Sequence, residues 1–311
     1  MINRLVTGQP PPRNLAVMEG SSEQILAAAS PFEVLSPIDQ TIPLVFSSPH
    51  SGADYSAEFI ASSRLDPLAL RRSEDSFVDE IFAAVTDLGA PLLRAHFPRA
   101  FLDPNREPYE LDPQMFEDEL PRFVNSRSPR VQVGLGTIAR IVASGEDIYS
   151  RKLRFEEATA RIDGLYRPYH DALEGLIEAT RRRFGCYLLI DCHSMPSIQG
   201  QRERGRKMRT DIVLGDCHGT ACDPVVTETA QKILSDKGYV VARNAPYAGG
   251  FTTAHYGKPY RGGHGLQIEI NRSLYMDERT MGRKPYLRQL AADMADLTKA
   301  LAGIDLAQLS P

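Results

Sequence analysis

The amino-acid sequence predicts an α/β fold in which helices cover the faces of an open central sheet. Short apolar segments alternate with helical stretches along the chain, which is the order that builds such a sheet. Most of these segments are rich in Val, Ile and Leu, as expected of strands that are buried on both faces. With 311 residues, of which 42% are hydrophobic and 24% charged, the chain is long enough to bury a sizeable core.

Seven segments have the length and composition of strands. Each is bounded by residues that favour turns or helix ends. The predicted strands are 43–48, 90–97, 100–103, 186–192, 211–216, 239–243 and 266–270.

The first two predicted helices lie between these strands. One begins near Ser73, presents an apolar face and closes at Gly89. The second region covers about 150–184 and contains Pro168, which lacks the N–H that a helix interior needs. We therefore expect a break or kink at Pro168.

Two further helices have clear end signals. One has Asp223 as its N-cap and Pro224 at its first position, and the last covers about 285–302. The segment 107–149 resists assignment, and a long irregular excursion of this kind is often a lid or wall of an active site. Residues 1–35, which begin as a polar and proline-rich stretch, are predicted to be a partly disordered arm, and residues 36–311 a single domain.

The composition argues against several classes of protein. A formal net charge of -4 disfavours nucleic acid as the main partner, because binding phosphates requires a basic face. The one basic run, 202–209, is interpreted as a solvated loop, with attraction of an anion to a site as the alternative. Apolar runs of about 18 residues are absent, which excludes a membrane-spanning helix on length. The four cysteines lack CxxC spacing and are interpreted as free thiols, which predicts a cytoplasmic protein.

Two histidines follow predicted strands directly. His50 comes after 43–48, and His193 comes after 186–192. In open α/β sheets, ligands bind at the carboxyl ends of strands. A lone histidine there is more often a hydrogen-bonded structural residue, but two in equivalent positions favour a metal site, since imidazole is the commonest metal ligand.

A catalytic zinc usually has three protein ligands, so a third is needed. Glu74 and Asp75, at the head of the first predicted helix, are the best-placed acids. Acids in a first helical turn are also favoured by the helix dipole, with or without a metal. The residues alone leave the choice between the two acids open.

Glu269 is the predicted catalytic carboxylate. In the segment 266–270 the leucine and isoleucines alternate on one face, which leaves Gln267 and Glu269 on the other. A solvated edge would give the same pattern, but glycines crowd the approach and Arg272 follows at once. A carboxylate beside a metal can take a proton from water and return it, as metal-assisted hydrolysis requires.

The segment Asp103-Pro104-Asn105-Arg106 is a candidate anion-binding element. Arginine presents a planar fork that matches a carboxylate, and a neighbouring asparagine amide can donate to the same group. The same four residues also form a good turn sequence.

Taken together, these segments resemble the N-formylglutamate amidohydrolase family, which is related to the zinc carboxypeptidase and aspartoacylase group. Many separate blocks agree in family order over roughly residues 40–300. They are SPHSG (48–52), EDSFVDEIF (74–82), PRAFLDPNR (98–106), GLGTIAR (134–140), PYHDAL (168–173), IDCHSMPS (190–197), DIVLGDCHGTAC (211–222), AGGFTTAHYGKP (248–259) and GLQIEINRSLYMDE (265–278).

The resemblance implies a mixed, mostly parallel sheet of the phosphorylase/hydrolase-like kind with helices on both faces. It also implies one zinc ion and hydrolysis of N-formyl-L-glutamate to formate and glutamate, a step of histidine breakdown. Carried over by position, His50, Asp75 and His193 would be the zinc ligands, and Glu269 the general base and acid. The resemblance therefore favours Asp75 over Glu74.

The resemblance also implies how a small anionic N-acyl amino acid would be bound. Asn105 and Arg106 match the segment that grips a terminal carboxylate in zinc carboxypeptidases. Arg99 would polarise the formyl oxygen or bind the second carboxylate, for which Arg272 is the other candidate. Two rivals remain: a deacylase or carboxypeptidase-like hydrolase of another N-acyl amino acid or peptide, and a metal-free binding protein on the same fold.

Overall fold

The structure, a computed structural model, describes residues 30–197, 202–203, 206–207 and 210–310. Its centre is a sheet of seven strands. They are β1 Phe32–Leu35, β2 Leu44–Ser48, β3 Leu92–Ala95, β4 Tyr187–Met195, β5 Ile212–Gly215, β6 Val241–Arg243 and β7 Gly263–Asn271.

The strands lie in the order β1-β3-β2-β4-β7-β5-β6. β2 pairs in parallel with β3 and β4, β4 with β7, and β5 with β6, whereas β1 with β3 and β5 with β7 are antiparallel. This confirms the predicted mixed, mostly parallel sheet. The carboxyl ends of β2, β3, β4 and β7 therefore meet at one edge.

The described residues form ten α-helices, joined by turns and single 3₁₀ turns. One π-helical turn, Ile162–Tyr166, joins α5 to α6. The helices are α1 Ala57–Ser62, α2 Pro67–Leu70, α3 Val78–Ile81, α4 Pro129–Gln132, α5 Phe155–Arg161, α6 Arg167–Phe184, α7 Pro224–Asp236, α8 Phe251–Tyr256, α9 Leu287–Ala302 and α10 Leu306–Leu309. None of the helices in these ranges combines the length and apolarity needed to cross a membrane.

Alternate residues of the central strands pack on opposite faces of the sheet. Val45 and Leu189 join a buried cluster with α6 on one face. Phe46 and Ile190 join another with α3, α7 and α9 on the other face. The expectation of helices on both faces is confirmed. Strands β2, β4 and β5 are buried along their whole length because apolar layers cover them on both sides.

Two predicted elements are wrong. Most of the helix expected over 73–89 is irregular, and its α-helical part is Val78–Ile81. Phe77 takes a left-handed conformation with φ 68°, so Glu74 and Asp75 precede the helix rather than head it. The segment 100–103 is a turn and not a strand, because the N–H groups of its second and third residues both donate to the carbonyl of Pro98.

The break expected at Pro168 takes the form of the π turn before it. The N–H of Arg167 donates to the carbonyl of Ile162, five residues back, and α6 then continues through Pro168 to Phe184. A proline ring clashes with the carbonyl four residues earlier, and the wider turn accommodates it.

The remaining predicted segments are placed as follows. The excursion 107–149 is irregular apart from α4 and a 3₁₀ turn, and it has a buried apolar cluster shared with α1. Strand β1 falls inside the predicted arm 1–35, whose residues up to 29 lie outside the described ranges, as do the side chains of 202–209. The four cysteines are free thiols, and Cys217 is the one that is partly exposed.

Candidate metal centre and active site

The two predicted histidines lie side by side at the edge where the parallel strands end. His50 follows β2 by two residues, and His193 lies near the carboxyl end of β4. Their ring centroids are 4.7 Å apart, and both side chains are buried. Glu269 on β7 is the direct register partner of His193, so its side chain enters the same region.

Asp75 completes this group. Its N–H donates to the carbonyl of His50 over 3.0 Å, which ties the segment before α3 to the end of β2. Its Oδ2 then lies 3.3 Å from His50 Nδ1 and 3.0 Å from His193 Nδ1. Both imidazoles therefore present the same nitrogen, Nδ1, to one carboxylate oxygen.

The neighbouring acid faces away from the histidines. Glu74 accepts two hydrogen bonds from Arg71, over 2.9 and 3.1 Å, and one from Ser76 over 2.6 Å. The extended backbone at Glu74 turns successive side chains to opposite sides. Of the two acids that the residues alone left open, the geometry groups Asp75 with the histidines.

The outer nitrogens of both rings have partners as well. His50 Nε2 donates to Asp103 Oδ1 over 2.7 Å. His193 Nε2 lies 2.9 Å from Asp191 Oδ1 and 3.0 Å from Asn105 Nδ2. Carboxylates that contact the outer nitrogen of a histidine fix its orientation and raise its basicity, as is typical around metal ligands.

The group fits a metal ion. Ligand atoms of His50, Asp75 and His193 all lie within 4.8 Å of one another. His50 Nδ1 is buried and makes no hydrogen bond to any residue the structure describes, so it is available as a ligand atom. Two imidazoles, which are neutral when they bind a metal, and a carboxylate form the kind of three-ligand set that leaves an open position in catalytic sites.

The charge of Asp75 is stabilised in spite of its burial. Burial raises the pKa of a carboxyl group, but here the hydrogen bond with His193, the nearby ring of His50 and the charge of Arg272 outweigh it and hold the pKa of Asp75 well below its usual range. The carboxylate is therefore ionised, as a metal ligand must be.

For Glu269, the effects that raise the pKa outweigh those that lower it. Burial raises its pKa to about 7, and the nearby charge of Asp75 acts in the same direction, whereas His193 and Arg99 lower it. Its Oε1 accepts a hydrogen bond from Gln267 Nε2 over 2.9 Å. A carboxyl group with a pKa near neutrality exchanges protons readily at physiological pH, which suits a general base and acid.

The predicted substrate-binding residues differ in how many donors they still offer. Arg272 donates to Ser194, to the carbonyl of Arg72 and to Asp75 through all three of its nitrogens. Asn105 Nδ2 contacts His193 and Asp191, and its Oδ1 accepts from Thr252 N. Both side chains are therefore bonded within the protein.

Arg99 and Arg106 retain donors. Arg99 makes one hydrogen bond among the described residues, from Nη2 to Asp103 Oδ2 over 2.7 Å, and its side chain is 21% exposed. Arg106 uses Nε and Nη1 on the carbonyls of Leu135 and Asn105, and its Nη2 lies 3.7 Å from Asp103. The contact with Leu135 brings the excursion 107–149 against this part of the site.

A glycine makes the position of Asn105 possible. A Cβ atom on Gly250 would lie 2.3 Å from Asn105 Nδ2, so any other residue would displace the amide. Sequence reasoning named Asp103, His170 and Gly250 only as parts of a turn or a family block, and it missed Tyr166. Tyr166 and His170 contact the same segment from the π turn and α6. Histidine and tyrosine four positions apart on a helix were the available signal.

Replacing Arg272 with methionine is expected to destabilise the metal-free protein by about 3–5 kcal/mol, because the buried carboxylate of Asp75 loses its cation. The exposed pair of Arg183 with Asp39 is the matched control, and Arg183→Met should cost about 0–1 kcal/mol. Urea unfolding of both variants measures the difference. Equal losses would show that Asp75 does not depend on Arg272.

Comparisons with known proteins agree with this arrangement. The N-formylglutamate amidohydrolase family model matches residues 42–276. N-formylglutamate deformylase of Pseudomonas putida is 28% identical over 249 residues, which cover 79% of this chain and 86% of the relative. The protein of the same name from Pseudomonas aeruginosa is 27% identical over 272 residues, covering 86% of this chain and 93% of the relative.

A solved structure is also similar. The crystal structure of N-formylglutamate amidohydrolase from Ralstonia eutropha superposes with a TM-score of 0.81 at 38% identity, covering 88% of this chain and 98% of that chain. The predicted resemblance is thereby confirmed over the sheet and the segments that carry the site. This chain belongs to the N-formylglutamate amidohydrolase family.

Proposed function

We propose that this protein is a zinc-dependent amidohydrolase that converts N-formyl-L-glutamate to formate and L-glutamate. One observation carries the proposal: the buried group of His50, Asp75 and His193, with Glu269 as the register partner of His193. The names of the relatives supply the substrate, and the three-ligand set supports zinc over harder metals, which prefer oxygen ligands.

His50 and His193 would hold the ion through Nδ1, and Asp75 through Oδ2, since these atoms converge. When bound, zinc would supply Lewis-acid chemistry, which makes water more acidic and polarises a carbonyl group. Glu269 would take a proton from the attacking water and return it to the leaving amine nitrogen, so the carboxyl group ends each cycle as it began.

Arg99 is proposed to bind the substrate. Its guanidinium acts electrostatically on both Asp75 and Glu269 and retains donors, so it can stabilise negative charge on the formyl oxygen or bind a carboxylate. Arg106 Nη2 is the next available donor for a carboxylate. The predicted substrate contacts of Asn105 and Arg272 stay predictions, and their hydrogen bonds within the protein support a structural part for both.

Two other functions would use much of the same site. A hydrolase of another N-acyl amino acid or of a peptide needs the same ligands and the same base. A metal-free binding protein needs neither a poised carboxyl group nor a histidine nitrogen without a hydrogen bond, and the site has both among its described residues. The first of these two functions is distinguished from the proposed one by comparing the turnover of substrates that differ in charge and in the size of the acyl group.

Three substrates are expected to differ in kcat/KM. N-formylglutamine lacks one carboxylate, and losing a charge-assisted hydrogen bond of about 1.5–3 kcal/mol should lower kcat/KM by roughly 10–100-fold relative to N-formylglutamate. N-acetylglutamate keeps both carboxylates but adds a methyl group at the reacting carbon. Release of glutamate or glutamine from each is the measurement, and faster turnover of N-acetylglutamate or a dipeptide than of N-formylglutamate would overturn the proposed substrate.

A further inference from the structure

A four-residue loop contacts the outer nitrogens of both histidines. We call residues 103–106 the DPNR loop. Asp103 Oδ1 accepts from His50 Nε2 over 2.7 Å. Asn105 Nδ2 lies 3.0 Å from His193 Nε2 and donates over 3.3 Å to Asp191, the carboxylate that accepts from the same ring nitrogen over 2.9 Å. Because outer-shell contacts orient metal-binding rings, the position of this loop sets the direction of both Nδ1 atoms.

Two side chains from the neighbouring helical region hold the backbone of the loop. The hydroxyl of Tyr166 donates to the carbonyl of Arg106 over 2.8 Å. His170 Nε2 donates to the carbonyl of Pro104 over 2.8 Å. Residues four positions apart lie on one face of a helix, so Tyr166 and His170 reach the loop together, and their rings are 4.3 Å apart.

The protonation of His170 follows from its partners. A backbone carbonyl can only accept, so Nε2 carries the hydrogen that bonds Pro104. Nδ1 then accepts from the hydroxyl of Tyr256 over 2.8 Å. Burial lowers the pKa of His170 to about 4, so the ring is neutral and this orientation is fixed at neutral pH.

Tyr166 stands at the end of the π turn. That turn inserts one extra residue before α6, which rotates the following face by about 100° relative to α5. π turns inside α-helices occur often at functional sites. Here the extra residue sets which face of α6 is turned towards the DPNR loop.

We propose that Tyr166 and His170 are positioning residues that set the metal affinity of the site through the backbone of the DPNR loop. The inference rests on the proposed function, since it concerns the same metal. Neither residue belongs to the converging ligand set, so both act through Asp103 and Asn105. Loss of either contact frees a loop carbonyl and lets both histidine partners shift.

Four variants test the inference. Tyr166→Phe removes only the hydroxyl, and His170→Leu removes the ring donor. His170→Gln is the rescue variant, because a glutamine amide nitrogen reaches the position of Nε2. Tyr239→Phe is the matched control, since it removes another buried hydroxyl, which donates to Asp293 over 2.7 Å and packs against α9.

The measurement is the zinc dissociation constant of each full-length protein by competition with a chromophoric chelator, together with urea unfolding of the metal-free form. We expect the constant to rise about tenfold for Tyr166→Phe and up to about 100-fold for His170→Leu, the range found for outer-shell partners. His170→Gln should recover most of the affinity. Tyr239→Phe should lose stability by about 1.5–3 kcal/mol, because its hydroxyl donates to a carboxylate, and keep the wild-type constant.

The possible failures are distinguishable. If Tyr166→Phe and His170→Leu bind zinc as tightly as the wild type and lose only stability, as the control does, the inference is overturned and the proposed function stands. If the wild-type protein itself binds no zinc, the proposed function fails and the inference fails with it.

Discussion

Glu269→Gln is expected to lower kcat for N-formylglutamate by roughly 10²–10⁴-fold while the zinc content stays unchanged. The replacement keeps the shape of the side chain and its place opposite His193, but an amide cannot accept the proton of the attacking water. Because Glu269 lies outside the His50, Asp75 and His193 group, metal binding does not depend on it. Single-turnover formate release and metal analysis of the same preparation measure both quantities.

The stability of this variant is informative as well. Burial raises the pKa of Glu269 to about 7, so above that pH the folded protein carries a buried charge that the neutral amide lacks. Glu269→Gln should therefore be at least as stable as the wild type at pH 8. Glu228→Gln, at an exposed position of α7, is the matched control and should change neither rate nor stability. Near-normal turnover by Glu269→Gln would remove Glu269 from the catalytic role.

The second large effect is expected from Asp75→Asn, compared with Glu74→Gln next to it. Asp75 Oδ2 is the oxygen on which both Nδ1 atoms converge, whereas Glu74 is bonded to Arg71 and Ser76. Replacing a ligand carboxylate by an amide should weaken zinc binding by more than the roughly 10–100-fold found for outer-shell partners. Activity at low zinc should disappear with it.

The neighbouring variant provides the contrast. Glu74→Gln changes an equally buried carboxylate by the same chemistry, so it should retain zinc affinity and lose only part of the ion pair with Arg71. Titration of each metal-free variant with zinc gives the two dissociation constants. Loss of affinity in Glu74→Gln with retention in Asp75→Asn would reverse the assignment.

Local signals account for the elements that were predicted correctly. Asp223 and Pro224 begin α7 as the sequence indicates, because the cap accepts from Val225 N and the proline occupies the first helical position. The apolar runs ending before His50 and His193 are buried strands, as their length and composition indicate. Such elements are determined by their own residues and by a shared core.

The predicted helix start at 73–77 failed because of a contact that is distant in sequence. Phe77 adopts a left-handed conformation, and Asp75 bonds the backbone of His50, so the segment before α3 follows the end of β2 rather than its own helical pattern. The residues around Asp75 do not predict its contact with His50. The choice of Asp75 over Glu74 accordingly came from the resemblance and not from spacing.

The binding residues show the same limit. The types of Arg99, Arg106 and Arg272 indicate anion binding, and the sequence cannot rank them. The structure separates them by what they already contact, since all three nitrogens of Arg272 are bonded within the protein and Arg99 uses one. Hydrogen-bond partners of a buried arginine are set by tertiary packing, which no local pattern encodes.

The most direct test measures zinc content and formate release from N-formylglutamate on one preparation, before chelation, after chelation and during stepwise return of zinc. We expect one zinc ion per chain, loss of formate release together with the metal, and recovery in proportion to the zinc bound. Full formate release from the metal-free protein, or one bound zinc without formate release, would contradict the account.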